Sequence, residues 1–257
     1  MNKKLRMSVA PPDDDLTSDA RIRWSPSRSS QTLSLPEQIA EVIGNSIITG
    51  ALEPGQRIQE QGIASQFEVS RGPVREALRI LERDGMVRIL PRRGAQVTRL
   101  SIQEINDIFA VRASLLRLAV KLIAEQPTPD LIVELKKRAD RLAQLARSNA
   151  GANTYLKESY YLNLAMATGC GNERLRDMIY SLAHQTLRYS RLGLSAPERR
   201  LRSAKNTAAL IRALEKGDTE AAQDAVERLI LESRDAAVHL LTQQQEGSAP
   251  AKRRAVR

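Results

Sequence analysis

Arg71, Arg75, Arg79 and Arg83 recur at every fourth position. On a helix of 3.6 residues per turn such a set forms a slowly winding basic row. Further on, Arg92 and Arg93 sit in the tight stretch Pro91-Arg92-Arg93-Gly94, between the strand-like runs MVRIL and AQVTRL. Guanidinium groups are planar, permanently charged forks, so the chemistry on offer is recognition of a polyanion through phosphate oxygens and base edges. A row of arginines on a helix is most often only a solvated face. The charge distribution argues for more. Leu35 to Ser70 holds one basic residue against five acidic, whereas Arg71 to Arg99 holds eight basic against three acidic. A small region that separates charge this sharply presents one face to a polyanion. The expected readers of duplex DNA are Ser70, Arg71 and Gly72 at a helix start, Arg75 and Arg79 on phosphate or base, and Arg92, Arg93 and Gly94 in the turn. Base specificity is expected to rest mostly on Arg71 and Arg75.

Other chemistries find little support. The chain has 257 residues, a net charge of +10 and 42% hydrophobic residues, enough for two domains with sizeable cores. Aromatics make up 3%, which argues against stacking on single strands and favours duplex DNA. Cys170 is the one cysteine, and His184 and His239 are the two histidines, so neither a disulfide framework nor a histidine-rich metal site is expected. No P-loop, dinucleotide fingerprint or nucleophile elbow occurs, and no catalytic residue or cofactor is expected. No run approaches the length of a membrane span, and the start, MNKKLRMSVAPPDDD, lacks the apolar stretch of a signal peptide. The expectation is a cytoplasmic protein with no membrane partner.

The arginine row needs a helix to carry it, and the local sequence supplies one. Ser70 can cap a helix start through its side-chain oxygen, and Pro73 falls in the first turn, where its missing N–H breaks no bond. Val74, Ala77, Leu78 and Leu81 give that helix one core face, and Asp84-Gly85 signals its end. Upstream, Ile63, Ala64 and Phe67 make a short apolar face, and only Glu68-Val69-Ser70 separates it from the arginine helix, a helix-turn-helix arrangement. The two strand-like runs then form a hairpin tipped by arginines, with Gly94 where positive φ is needed. A supporting helix runs from Leu35 through Ile39, Val42, Ile43 and Ile47 to a left-handed cap at Gly50.

Residues 1 to 33 have no apolar period and read as a disordered arm, with Trp24 as a floppy tail residue or a docking point. Ser101 opens a long helix bearing Ile105, Ile108, Phe109, Leu116, Ala119 and Ile123 on one side. Arg112 interrupts that apolar stripe, so it either pairs with an internal carboxylate or binds an anionic ligand. Helices follow from Thr128-Pro129 and at about 153–168, 172–193, 197–216 and 218–244, which makes six in succession and argues for an antiparallel bundle. The division is then an arm at 1–33, a DNA-binding domain at 34–99, a helical domain at 100–245 and a basic tail at 246–257.

These residues carry a resemblance. Leu35 to Thr98 resembles the winged helix-turn-helix of GntR-type bacterial transcription regulators, through Gly50, Leu52, Pro54-Gly55, Glu60, Ile63-Ala64, Val69-Ser70-Arg71, Pro73 to Leu78, Leu81, Gly85, Pro91, Arg93-Gly94 and Val97. Two departures stand out: Glu68 replaces a glycine frequent in the turn, and Gln61 replaces an arginine that contacts DNA in many members. Ser101 to Leu241 more loosely resembles the family's FCD effector-binding domain, anchored by Asp107 to Arg112, Gly171-Asn172 and Ala213 to Ala222. In many such domains one Asp and three His hold a divalent metal. Counted from Asn172 and Asp218, those positions fall on Ser159, Asn163, Thr207 and Leu229, none a strong ligand, so the resemblance implies a metal-free pocket or an ordinary core with a satisfied polar remnant.

The expected protein is therefore mainly α, with an N-terminal winged helix-turn-helix and a C-terminal all-helical antiparallel bundle. It reads palindromic operator DNA as a homodimeric, ligand-responsive repressor, and its helical domain senses an organic acid through Arg112, Ser159, Asn163 and Thr207. A DNA-binding architectural protein that has lost sensing is the alternative, and an enzyme with a DNA-binding appendage lacks any supporting constellation.

Overall fold

A computed structural model of the chain describes residues 22, 33–91, 93–148 and 150–247. Arg92, Trp24, the basic tail from residue 248 onward and all of the expected arm except Ile22 and Leu33 lie outside the described residues. Ile22 departs from the expected arm: it is buried, and its backbone N–H and C=O both bond the side-chain amide of Asn45.

The N-terminal domain begins with α1 (Leu35–Thr49), which carries Pro36 in its first turn and closes on Gly50 at φ 90°. The two-residue strand β1 (Arg57–Ile58), α2 (Glu60–Gln66), α3 (Arg71–Arg83), β2 (Val87–Leu90) and β3 (Gly94–Val97) follow. β3 lies between β1 and β2, antiparallel to both, in a sheet of order β1-β3-β2. The hairpin matches the sequence reading, whereas β1 was not anticipated. Gly94 sits at φ 79°, and a Cβ there would stand 2.7 Å from the Ile58 carbonyl oxygen, so the turn and the third strand both require glycine. Val74, Ala77, Leu78 and Leu81 of α3 are buried as their spacing predicts, packed with Ile39, Ile43 and Ile47 of α1 in one core.

The C-terminal domain is α4 (Ile102–Glu125), α5 (Pro129–Arg147), α6 (Ala152–Gly169), α7 (Glu173–Gly193), α8 (Pro197–Glu215) and α9 (Thr219–Gly247). Ser101 caps α4 by accepting from the Glu104 N–H, and Glu104 returns a bond to the Ser101 N–H. α4 packs along α9, α9 touches α7 and α8, and α5 lies against α6 and α8. Helix α7 also faces the N-terminal domain. Arg188 donates to the carbonyls of Ile47 and Leu52, Tyr189 accepts from the Leu100 N–H, and Gln185 covers Gly85. Among the described residues no helix is long and apolar enough to cross a membrane.

Candidate functional site

The arginine row lies on the exposed side of α3, opposite its buried stripe. Each member is steered by a neighbour. Arg71 Nε donates to Gln61 Oε1 at 2.7 Å, Arg75 Nε to Glu60 Oε2 at 2.8 Å, and Arg79 Nη1 to Glu76 Oε1 at 2.8 Å. Arg83 stands 4.0 Å from Asp84. Exposed pairs of this kind contribute at most about 1 kcal/mol, so a phosphate or a base edge can displace the partner. Gln61, noted above as a departure from the family pattern, thus orients Arg71 rather than carrying a charge of its own.

Ser70 stands at the N-cap of α3, but its side chain makes no capping bond, which corrects the sequence reading. The position follows from its extended backbone, φ −69° and ψ 168°, and the hydroxyl is not spent on the helix. Gly72 leaves open space: a Cβ there would have only the Ser70 hydroxyl nearby, at 3.9 Å. A helix N-terminus with unspent N–H groups, a spare hydroxyl and no obstructing side chain admits a close phosphate. Arg93 is exposed in the wing turn, where its N–H bonds the Leu90 carbonyl, and Gly94 starts the returning strand. Val87, Ala95 and Val97 of the wing share one buried core with Val74, Ala77, Leu78 and Leu81 of α3.

In the helical domain the structure brings Arg112, Ser159, Asn163 and Thr207 together. They line one narrow cavity of about 40 Å³, with Leu229 from α9 and Phe109 from α4. Arg112 is 5% exposed. Its Nη1 donates to Thr186 Oγ1 at 2.7 Å, its guanidinium lies 5.3 Å from the Phe109 ring centre, and its Nε has no hydrogen-bond partner. Among the described residues no carboxylate pairs with it, so the ion-pair alternative fails. Burial alone pulls its pKa down to about 10, still cationic at neutral pH. Asn163 Nδ2 donates to the Ser159 carbonyl, and Thr207 Oγ1 to the Ser203 carbonyl.

The positions that hold a metal in many related domains do not fit one here. They offer two hydroxyls, an amide and an alkyl chain, in a cavity that already contains a buried cation. Among the described residues no cluster of three or more His, Cys, Asp or Glu side chains has metal-binding geometry.

Sequence reasoning missed a second basic group in the same wall. Arg199 and Arg200 of α8 are each 7% exposed, while Leu201 between them and Arg202 is 47% exposed. Arg199 lines the cavity, lies 3.6 Å from Glu232 and has its pKa lowered first of all by burial. Arg200 donates to the carbonyls of Leu194 and Ser195. The signal was present: Ser203, Ala204 and Thr207 mark the inward stripe of α8, and stepping back four residues from Ser203 and Ala204 gives Arg199 and Arg200.

Comparison with known proteins joins the two halves. The pattern described as "Bacterial regulatory proteins, gntR family" matches residues 35–97, and that of the FCD domain matches residues 107–232. The chain is 36% identical over 94 residues to the uncharacterized HTH-type transcriptional regulator YdhC of Bacillus subtilis, a match covering 37% of this chain and 42% of that one. It is also 36% identical over 91 residues to the gluconate operon transcriptional repressor of Bacillus licheniformis, covering 35% of this chain and 37% of the repressor. The matched stretch thus spans less than half the length of either relative. The fold is similar to that of Escherichia coli McbR/YncC, with a TM-score of 0.67 at 24% identity over 83% of this chain and 100% of that one. The chain belongs to the gntR family of bacterial regulatory proteins, with that family's winged helix-turn-helix in its N-terminal half and an FCD domain in its helical half.

Proposed function

We propose that the chain is a cytoplasmic repressor that binds a palindromic operator as a homodimer, and that a small organic anion in the helical domain modulates this binding. The observation that carries the DNA half is the polarity of α3: its apolar stripe is buried, and Arg71, Arg75 and Arg79 stand exposed on weak, exchangeable partners. Ser70, Arg71 and Gly72 meet base edges or the nearest phosphate, Arg75 and Arg79 continue along the backbone, and Arg92, Arg93 and Gly94 reach the flanking groove. Selection of binding duplexes from a random pool tests the proposal. Two inverted half-sites, about one helical turn or a multiple of it apart, are expected, and a single unrepeated site would overturn the symmetric reading.

The effector half rests on Arg112, a buried cation without a carboxylate beside a polar cavity. A monoanionic carboxylate fits this charge better than a dianion, because Glu232 already compensates Arg199. Ser159, Asn163 and Thr207 would orient it by hydrogen bonds. The small free volume, room for only a few waters, favours the other reading, an architectural DNA-binding protein without a ligand. A thermal-shift series with small monocarboxylates separates them: stabilisation that disappears in Arg112→Met supports sensing, and no stabilisation by any of them supports the architectural reading.

A further inference from the structure

One line of side chains runs from the cavity wall to the end of the recognition helix. Tyr160 lines the cavity, and its hydroxyl lies 2.9 Å from Nε2 of His184 on α7. Across the imidazole ring, Nδ1 is 3.2 Å from Oδ2 of Asp84, the residue that closes α3, a close polar contact without full hydrogen-bond alignment. Tyr160 and His184 are 3% and 6% exposed, so neither has ready access to water as a substitute partner.

The three groups fit in one protonation pattern. Burial pushes the Tyr160 phenol far above its ordinary pKa, which keeps it protonated and able to donate. If the phenol is the donor to Nε2, the ring N–H is on Nδ1, on the Asp84 side. A donating Tyr160 thus favours the tautomer whose N–H faces Asp84. Gln185, Arg188 and Tyr189, which also join α7 to the N-terminal domain, do not line the cavity.

We propose that His184 is a positioning residue for DNA reading: it holds α3 through Asp84, and Tyr160 makes that hold depend on the state of the cavity wall. A ligand that takes the Tyr160 hydroxyl, or moves its ring, removes the donor from Nε2 and weakens the grip on Asp84. That last step rests on the reading of the cavity as an effector site, whereas the link from Tyr160 to α3 exists without any ligand.

The test uses the full chain without effector, an operator duplex selected from a random pool, and Tyr160→Phe, Asp84→Asn and the double variant. Tyr160→Phe keeps the ring in the wall and removes only the proton donor. The expected results are a change in operator affinity of roughly fivefold or more, faster hydrogen exchange of the α3 amides, and no further effect of Tyr160→Phe in the Asp84→Asn background. A purely structural role in the bundle lowers the melting temperature and leaves α3 exchange and operator affinity unchanged, which overturns the proposal. Equal effects of Tyr160→Phe in both backgrounds also overturn it. If Tyr160→Phe does not fold, His184→Gln against His184→Leu decides: the amide that can still donate to Asp84 must retain the higher operator affinity, and equal affinities refute the link. Because no effector enters these measurements, failure of the link and failure of the effector reading are distinguishable, the latter appearing only as an absent thermal shift with carboxylates.

Discussion

The Arg112 guanidinium donates to Thr186 Oγ1 at 2.7 Å, so a neutral hydroxyl stands where a buried cation ordinarily meets a carboxylate. Thr186 in turn donates to backbone carbonyls at Leu182 and Ala183 and cannot supply charge. Among the described residues the cation is held in place without a carboxylate, an arrangement that leaves its charge open to an anion.

Arg112→Met is expected to leave the melting temperature within a few degrees of wild type. A pKa pulled down to about 10 corresponds to roughly 3 kcal/mol against the charge. A hydrogen bond from a charged donor returns roughly 1.5–3 kcal/mol, and the Phe109 ring adds roughly 0.5–2. These terms nearly cancel. Breaking a buried ion pair would instead cost roughly 3–5 kcal/mol, so calorimetry on this variant tells the two environments apart.

Arg71→Ala is expected to weaken operator binding by roughly 1–3 kcal/mol and to relax base preference at one position of each half-site. Arg93→Ala should weaken operator and random DNA more equally, because a wing contact to phosphate carries no base information. Anisotropy titrations on both duplexes check the pair, and an Arg71→Ala variant with undiminished affinity would remove α3 as the reader.

Glu68→Gly is expected to stabilise the N-terminal domain. Glu68 adopts φ 54°, a left-handed conformation in a non-glycine residue, in the turn before α3. That conformation costs a side-chain-bearing residue roughly 1–2 kcal/mol, and the greater chain entropy of glycine offsets roughly 0.5–1 of it. The net gain is about 0.5–1 kcal/mol, visible as a melting temperature of that domain higher by about 2–8 °C. A lower melting temperature would mean that the Glu68 side chain contributes more than its backbone strain costs.

A homodimer should show twice the 28.6 kDa chain mass by light scattering at micromolar concentration. One recognition helix reads few base pairs, and linking two heads raises the effective concentration of the second on a palindromic site. A monomer mass both with and without operator would defeat this expectation.

Periodicity made most of the fold legible. The stripes on α3 and α4 and the Gly and Pro breaks between helices gave elements whose ends differ from the observed ones by three residues at most. Arg112 was legible because one cation stood among apolar residues, and Ser159, Asn163 and Thr207 because the FCD resemblance places its ligand positions there, on inward stripes. What was not legible depended on partners far away in sequence. β1 has two residues, too few for an alternating pattern, and is a strand only because Gln96 and Ala95 pair with it. The burial of Arg199 was masked by Glu198 to Arg202, which reads as a solvated charge cluster until Ser203 and Thr207 fix the inward face. The contact of His184 with Asp84 joins two domains across a hundred residues, and no local signal announces it.

The partners of the arginine row also bear on how the chain finds its site. Glu60, Glu76 and Gln61 already occupy Arg75, Arg79 and Arg71, so every phosphate must compete with an acceptor that is always present. On arbitrary sequence the exchange trades one weak contact for another, and the hold is brief. At the operator, base edges would add bonds that Gln61 and the two glutamates cannot match. Replacing Glu60 and Glu76 with glutamine would thus be expected to lengthen residence on unrelated DNA and slow the search, while the final complex keeps most of its strength.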